Sequence, residues 1–210
     1  MTGELKAPLE TGFEHRDWSI PRQLLRRYRL QRFHRQSNTP IPLRMSNHLE
    51  QLTAEWLEYR GYFVRQSVLV GKREKGGFEG ELDIVALNPV TRHLLHVECS
   101  LDADPWEKRE HRFTAKFERG RRYVPSLFDG LDLPAEFDQV ALLQMGGGER
   151  TTLGGGRLVW VADFISEIVE HLRRHRPDRS AIPSTLPLLR TLQLAAHFSS
   201  SRGRPGLISG

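Results

Sequence analysis

"GELDIVALNPVTRHLLHVECS" spans residues 80–100, and its reading decides the fold. Two runs rich in Leu, Ile and Val flank the turn-like "NPVTRH", which is the pattern of a β-hairpin. Strands this apolar on both faces belong inside a sheet. Yet each carries a carboxylate, Asp83 in the first and Glu98 in the second. An ionised carboxylate is costly to bury unless something pairs with it. What compensates Asp83 and Glu98 is the first question, and the second is why Ser100 follows where a charge is expected.

Side chains alternate along a strand, so Asp83, Val85 and Leu87 share one face. In the partner strand Leu94, His96, Glu98 and Ser100 share a face, while Leu95, Val97 and Cys99 take the other. A hairpin can therefore set Asp83 near Glu98 on one side of the sheet. Two carboxylates brought together repel, unless a cation or a shared proton compensates. Oxygen donors suit Mg²⁺ or Mn²⁺, which use one or two carboxylates plus substrate phosphate.

Outward from the hairpin, "SNHLEQLTAEWLEYRGY" reads as a helix. Ser46 or Asn47 caps it, Leu49, Leu52, Trp56 and Tyr59 form its apolar stripe, and Gly61 ends it. Glu50 lies on the border of that stripe and offers a third carboxylate, whereas Glu55 and Glu58 read as solvated. "YFVRQSVLV" is a strand, followed by the loop "GKREKGGFEG". Its Lys72, Arg73 and Lys75 either grip a phosphate backbone or are simply solvated. "DPWEKREHRFTAKFERG" predicts a helix from Pro105 to Gly120 with Trp106, Phe113 and Phe117 facing the core. "FDQVALLQM" and "RLVWVADF" predict two more buried strands, separated by a loop with two Gly-Gly-Gly runs. Neither run precedes Gly-Lys-Ser or Gly-Lys-Thr, so no phosphate-binding P-loop is expected. "DFISEIVEHLRR" is a helix capped by Asp163. The tail holds one further apolar patch, "STLPLLRTLQLAAHF", and its end, "SSSRGRPGLISG", reads as disordered.

This order predicts a mixed α/β domain with a sheet between helices over residues 46–176. A basic extension with a helix occupies 1–45, and a C-terminal extension occupies 177–210. The net charge of +5 is concentrated at the front, where residues 1–45 hold nine Lys or Arg against four acids. Basic arms with interleaved aromatics, here Trp18, Tyr28 and Phe33, favour polyanions and above all nucleic acid. The bland alternative is a solvated tail. The single cysteine, Cys99, excludes a disulfide within the chain and a multi-cysteine zinc site, which fits a reducing compartment. No apolar run approaches the about 18 residues of a membrane span, and the N-terminus lacks the apolar core of a secretory signal. A cytoplasmic protein is the expectation, with no membrane partner.

The pieces "HLEQLTAEWLEYRGYFV", "GELDIVAL" and "HVECS" together resemble the PD-(D/E)xK nuclease superfamily, and within it the Mrr-like restriction endonucleases. That family has a helix carrying a glutamate and ending in Gly-Tyr, which Glu50 and Gly61-Tyr62 match. It has an aspartate in a strand, matched by Asp83, and a Glu-x-Lys one strand later, matched at its first position by Glu98. The resemblance covers roughly residues 47–175. It implies a restriction-endonuclease-like core and a Mg²⁺- or Mn²⁺-dependent endonuclease acting on double-stranded DNA, in restriction, phage defence or repair. Asp83, Glu98 and the Cys99 carbonyl would hold the ion, with Glu50 reaching it through water or serving a second one. A homodimer is a further expectation, because cutting both strands of a duplex often needs two sites.

The departure is the lysine, replaced in Glu98-Cys99-Ser100. In such nucleases the lysine orients the attacking water and offsets charge building on the phosphate. The family lets it migrate, and the following helix is the place to search. Lys116 is the first candidate, with Lys108 second. Arg109 and Arg112, on the flank of the same helix, are read with the loop cations as nucleic-acid contacts. Ser100 could hold a water or a phosphate oxygen, and His96 is either a partner or base in the site or a packing residue. His93 and His111 read as ordinary surface residues. A structural role for Asp83 and Glu98 is the plain alternative. Three functions remain open: an active nuclease, a nucleic-acid-binding module that kept the fold and lost catalysis, and a protein–protein adaptor.

Overall fold

The structure, a computed structural model, describes residues 47–128, 131, 133, 134, 136–144 and 149–199. The chain divides into two units, Met1–Arg44 and Met45–Gly210, and every described residue lies in the second. The basic helix expected in the extension, the first Gly-Gly-Gly run and the C-terminal end expected to be disordered fall outside the described residues.

Asn47 opens helix α1 (His48–Tyr59), its side chain accepting from the Leu49 amide at 3.0 Å. That satisfies one of the amides a helix start leaves without a partner. Gly61 closes the helix at φ +84°, so that the Tyr62 and Gly61 amides return to the Leu57 and Glu58 carbonyls. Strands β1 (Phe63–Lys72), β2 (Phe78–Asn88) and β3 (His93–Ser100) follow as an antiparallel meander. Helix α2 (Trp106–Tyr123) then crosses the sheet to β4 (Asp138–Leu143), which pairs parallel to β3. β5 (Thr152–Leu153) and β6 (Gly156–Trp160) form a short hairpin, with β6 parallel to β4. Helices α3 (Val161–Arg173) and α4 (Pro187–Phe198) complete the described chain. The result is an α/β fold with one six-stranded mixed sheet, in the order β1-β2-β3-β4-β6-β5, flanked by helices. None of the described helices is long and apolar enough to cross a membrane.

The alternation read from the hairpin holds. Leu95, Val97 and Cys99 join Ile84 and Ala86 in a core with α1, α3 and α4. On the other face Leu94 packs with Val85 and Leu87, and Phe113 and Phe117 of α2 pack on Ala141 and Leu143.

Five expectations are corrected. Helix α2 does not stop at Gly120 but runs to Tyr123. Gly120 is buried there instead, because a Cβ would come within 2.3 Å of His96 Nδ1. Asp163 lies in the first turn of α3, not at its cap, where a negative charge still opposes the helix dipole favourably. The loop after β4 contains a third strand, β5, too short to leave a sequence pattern. The chain after residue 176 is part of the core, since Ile182, Leu186 and Leu189 are buried with α1 and α3. Glu55 is therefore not solvated. Its carboxylate accepts from the Leu189 amide at 2.8 Å and so serves the N-terminus of α4.

Candidate active site

The ladder between β2 and β3 runs from Asn88–His93 to Ile84–Val97, and Asp83 and Glu98 are the next residues beyond its end. On the other side of β2, the β1–β2 register passes from Gln66–Ile84 to Val68–Leu82. Ser67, opposite Asp83, adopts φ +49°, a left-handed conformation that costs a non-glycine residue roughly 1 kcal/mol or more. Asp83 thus sits where the regular sheet is interrupted on both sides. Its Oδ2 accepts from the Cys99 amide at 2.9 Å, tying it across to β3.

Both carboxylates are buried, Glu98 completely. What compensates them is Lys116, from the middle of α2. Its Nζ lies 3.1 Å from Asp83 Oδ2 and also donates to Glu98 Oε2. Glu98 is held from its other side by His96, whose Nε2 lies 2.8 Å from Glu98 Oε1. The Gln139 amide donates to His96 Nδ1 at 3.1 Å and to the Phe117 carbonyl at 2.9 Å. With Nδ1 accepting, the imidazole proton is assigned to Nε2, and the His96–Glu98 contact is a donated hydrogen bond. His96 is fully buried, so it orients Glu98 and is not a base within reach of a substrate.

These contacts push the two acids apart. Burial, with the Glu98 charge behind it, raises Asp83 to about 7 against the opposing Lys116 ammonium. Burial would also raise Glu98, but the His96 hydrogen bond and Lys116 together bring it down to about 2. Burial would lower Lys116, and the two carboxylates outweigh it and raise its pKa. The pair holds one proton into the neutral range, on Asp83, beside an ionised Glu98 and a charged ammonium.

Ser100 is committed elsewhere. Its hydroxyl donates to Asp102 Oδ2 and accepts from Arg112 Nη2 at 3.1 Å. Arg112 is paired with Asp102 at 2.5 Å and Asp104 at 2.9 Å. Burial works against Asp102, but its contacts with Ser100, the Asp104 amide and Arg112 hold it down at about 2. The sequence reading missed both aspartates. The one local signal was the run "DAD" between a buried strand and a basic helix.

The other candidate residues divide. Arg109 is corrected as a nucleic-acid contact. It is buried, donates to the Asp102 carbonyl at 2.6 Å and lies over the Trp106 ring, so it anchors the β3–α2 loop. Lys108 pairs with Asp104 at 2.7 Å and not with the carboxylate pair. Lys72, Arg73 and Lys75 are exposed at the tip of the β1–β2 hairpin. Glu50 is in the first turn of α1, and its charge acts on Cys99, whose thiol faces that side of the sheet. Among the described residues no three His, Cys, Asp or Glu side chains gather as a metal-holding group, so the structure does not bring Glu50 in as a third carboxylate. His93 is not a plain surface residue. It bridges the Tyr62 hydroxyl at 2.6 Å and Asp138 at 3.1 Å, at the opposite end of β3 from Glu98.

Two carboxylates converge on one cation, and that donor set fits a hard divalent ion of the Mg²⁺ or Mn²⁺ class. No protein-family model matches the chain, and no curated protein and no solved structure matches it either.

Proposed function

We propose that this chain is a metal-dependent nuclease with a restriction-endonuclease-like core, hydrolysing phosphodiester bonds in DNA. The observation that carries this reading is the convergence of Asp83, Glu98 and Lys116 at the point where the β2–β3 ladder ends. An aspartate and a glutamate from adjacent strands with a lysine close by are what the PD-(D/E)xK resemblance requires. Here the lysine comes from the following helix.

Asp83, Glu98 and the Cys99 carbonyl would hold a Mg²⁺ or Mn²⁺ ion. Such an ion makes bound water a better nucleophile and polarises the phosphate. Within the chain, His96 and Gln139 keep Glu98 ionised and oriented. Asp83 must give up its proton before both carboxylates can act as anionic donors. Lys116 neutralises the pair at rest and is within reach to offset charge on the phosphate as it builds. The Ser100–Asp102–Arg112 contacts fix the loop that leads into α2 and so fix where Lys116 points.

The rival reading, a nucleic-acid-binding module without catalysis, is favoured by one observation. The ammonium of Lys116 already satisfies both carboxylates. Incubating plasmid, linear duplex and single-stranded DNA with the protein in Mg²⁺, Mn²⁺ or EDTA separates the two. Metal-dependent cutting that disappears in Asp83→Asn supports the nuclease. Binding without cutting, by folded protein on all three substrates, supports the module.

A further inference from the structure

Helix α2 is rich in cations, and nearly all of them are occupied. Lys108, Arg109 and Arg112 pair with Asp102 or Asp104, and Lys116 pairs with Asp83 and Glu98. Arg121 donates to Gln139 Oε1 at 2.6 Å, and Arg122 reaches Glu79 at 3.4 Å. Arg119 is the exception. Among the described residues it has no hydrogen-bond or ion-pair partner, although it is half-buried.

Its guanidinium lies against the sheet at Gly80, three residues before Asp83 on β2. A Cβ built on Gly80 would fall 2.4 Å from Arg119 Cζ and 2.5 Å from Nε, so a side chain there would push the guanidinium from this position. Arg119 also stands three residues after Lys116, which places the two on one side of the helix. A partly desolvated guanidinium with five donors and no acceptor is suited to an oxyanion that is not part of the protein. Beyond it the tip of the β1–β2 hairpin carries exposed Lys72, Arg73 and Lys75 around a single acid, Glu74, while of the two acids that flank Gly80, Glu79 is paired with Arg122 at 3.4 Å and Glu81 is not exposed.

We infer that Arg119, seated on Gly80, is a binding site for a phosphate of the nucleic-acid backbone next to the Asp83–Glu98–Lys116 centre, and that the backbone continues from there along the β1–β2 hairpin. The inference rests on the nucleic-acid reading of that centre and names the surface that would hold the substrate. Arg119 is a binding residue here, not a catalytic one.

The test is binding of labelled duplex DNA, single-stranded DNA and duplex RNA in EDTA, across a salt series, with cleavage in Mg²⁺ measured in parallel. Arg119→Gln is expected to weaken binding about tenfold and to lower the slope of log affinity against log salt by about one. Arg119→Lys should restore the slope but not the full affinity, since a point charge replaces a two-pronged donor. Gly80→Ala keeps every charge and only pushes the guanidinium off its seat, so it should weaken binding while melting close to wild type. In the cleaving reaction both Arg119→Gln and Gly80→Ala should raise KM more than they lower kcat. Wild-type affinity and slope in Arg119→Gln would overturn the inference, as would a wild-type protein that binds none of the three ligands. Binding that falls as expected, with no cleavage by any form of the protein, would leave the phosphate site standing and remove the hydrolysis reading instead.

Discussion

Asp83 is the residue on which the proposed chemistry turns, because the fold holds a proton on it that a free aspartate would have lost. Its pKa is lifted from 3.8 to about 7, by burial and then by Glu98. The sign of the consequence follows from linkage. Between those two values the folded chain keeps a proton that the unfolded chain has released, so this group's contribution to stability falls as pH rises through that window. Glu98, lowered from 4.5 to about 2, works the other way, and its contribution is lost as pH falls through that range. Asp83→Asn should therefore be more stable relative to wild type at pH 8 than at pH 4, as read by thermal melts at the two pH values. On the nuclease reading, kcat/KM should rise about tenfold per pH unit below about 7 and level off above it. A flat profile across that range would show that Asp83 does not titrate in the reacting enzyme.

At the scale of elements, the site depends on how closely α2 lies on β3. Gly120 sets that approach, because His96 Nδ1 and Gln139 Nε2 occupy the space a side chain would need. His96 is fully buried and cannot yield, so Gly120→Ala should lift the helix. Overpacking of this kind costs about 1–3 kcal/mol, and here it should also carry Lys116 away from the carboxylates. Denaturant unfolding would read the loss of stability, and activity should fall by more than that loss alone explains.

Elements and faces were legible from the sequence where the signal is local. The hairpin over 80–100 is an example, since a period of two and a turn lie within one short stretch. What the sequence could not supply was the partner of each charge. Lys116 and Lys108 were both open, because helical phase alone does not say which turn of α2 meets the end of β3. Arg109 reads as a surface cation, as most arginines are, until Trp106 and the β3–α2 loop close over it. Glu55 reads as solvated because what covers it, the start of α4, lies 134 residues further along the chain.

Across the described unit, the fold brings three helices onto one face of the sheet and leaves α2 on the face that carries the charges. One side is thereby a conventional apolar core. The other is apolar too where Phe113 and Phe117 pack, and beside that packing buried carboxylates, an ammonium and, among the described residues, an unpaired guanidinium lie within a few turns of one helix. Ser100 fits into this division of labour. Its short side chain joins the Asp102–Arg112 network, and on the nuclease reading Lys116 supplies from across the sheet face the cation that Ser100 does not.

That substitution of one cation for another is the central claim, and Lys116→Ala tests it most directly. The measurement is single-turnover cleavage of duplex DNA in Mg²⁺ by wild type, Lys116→Ala and Lys108→Ala, each checked for folding by circular dichroism. Lys116→Ala should remain folded and cut at least about a hundredfold more slowly, the scale expected when one charge-stabilising donor is removed. Lys108→Ala, whose partner among the described residues is Asp104 and not the carboxylate pair, should cut as wild type does. Undiminished cutting by Lys116→Ala would contradict the account, because the charge that Ser100 lacks would then have to come from another residue.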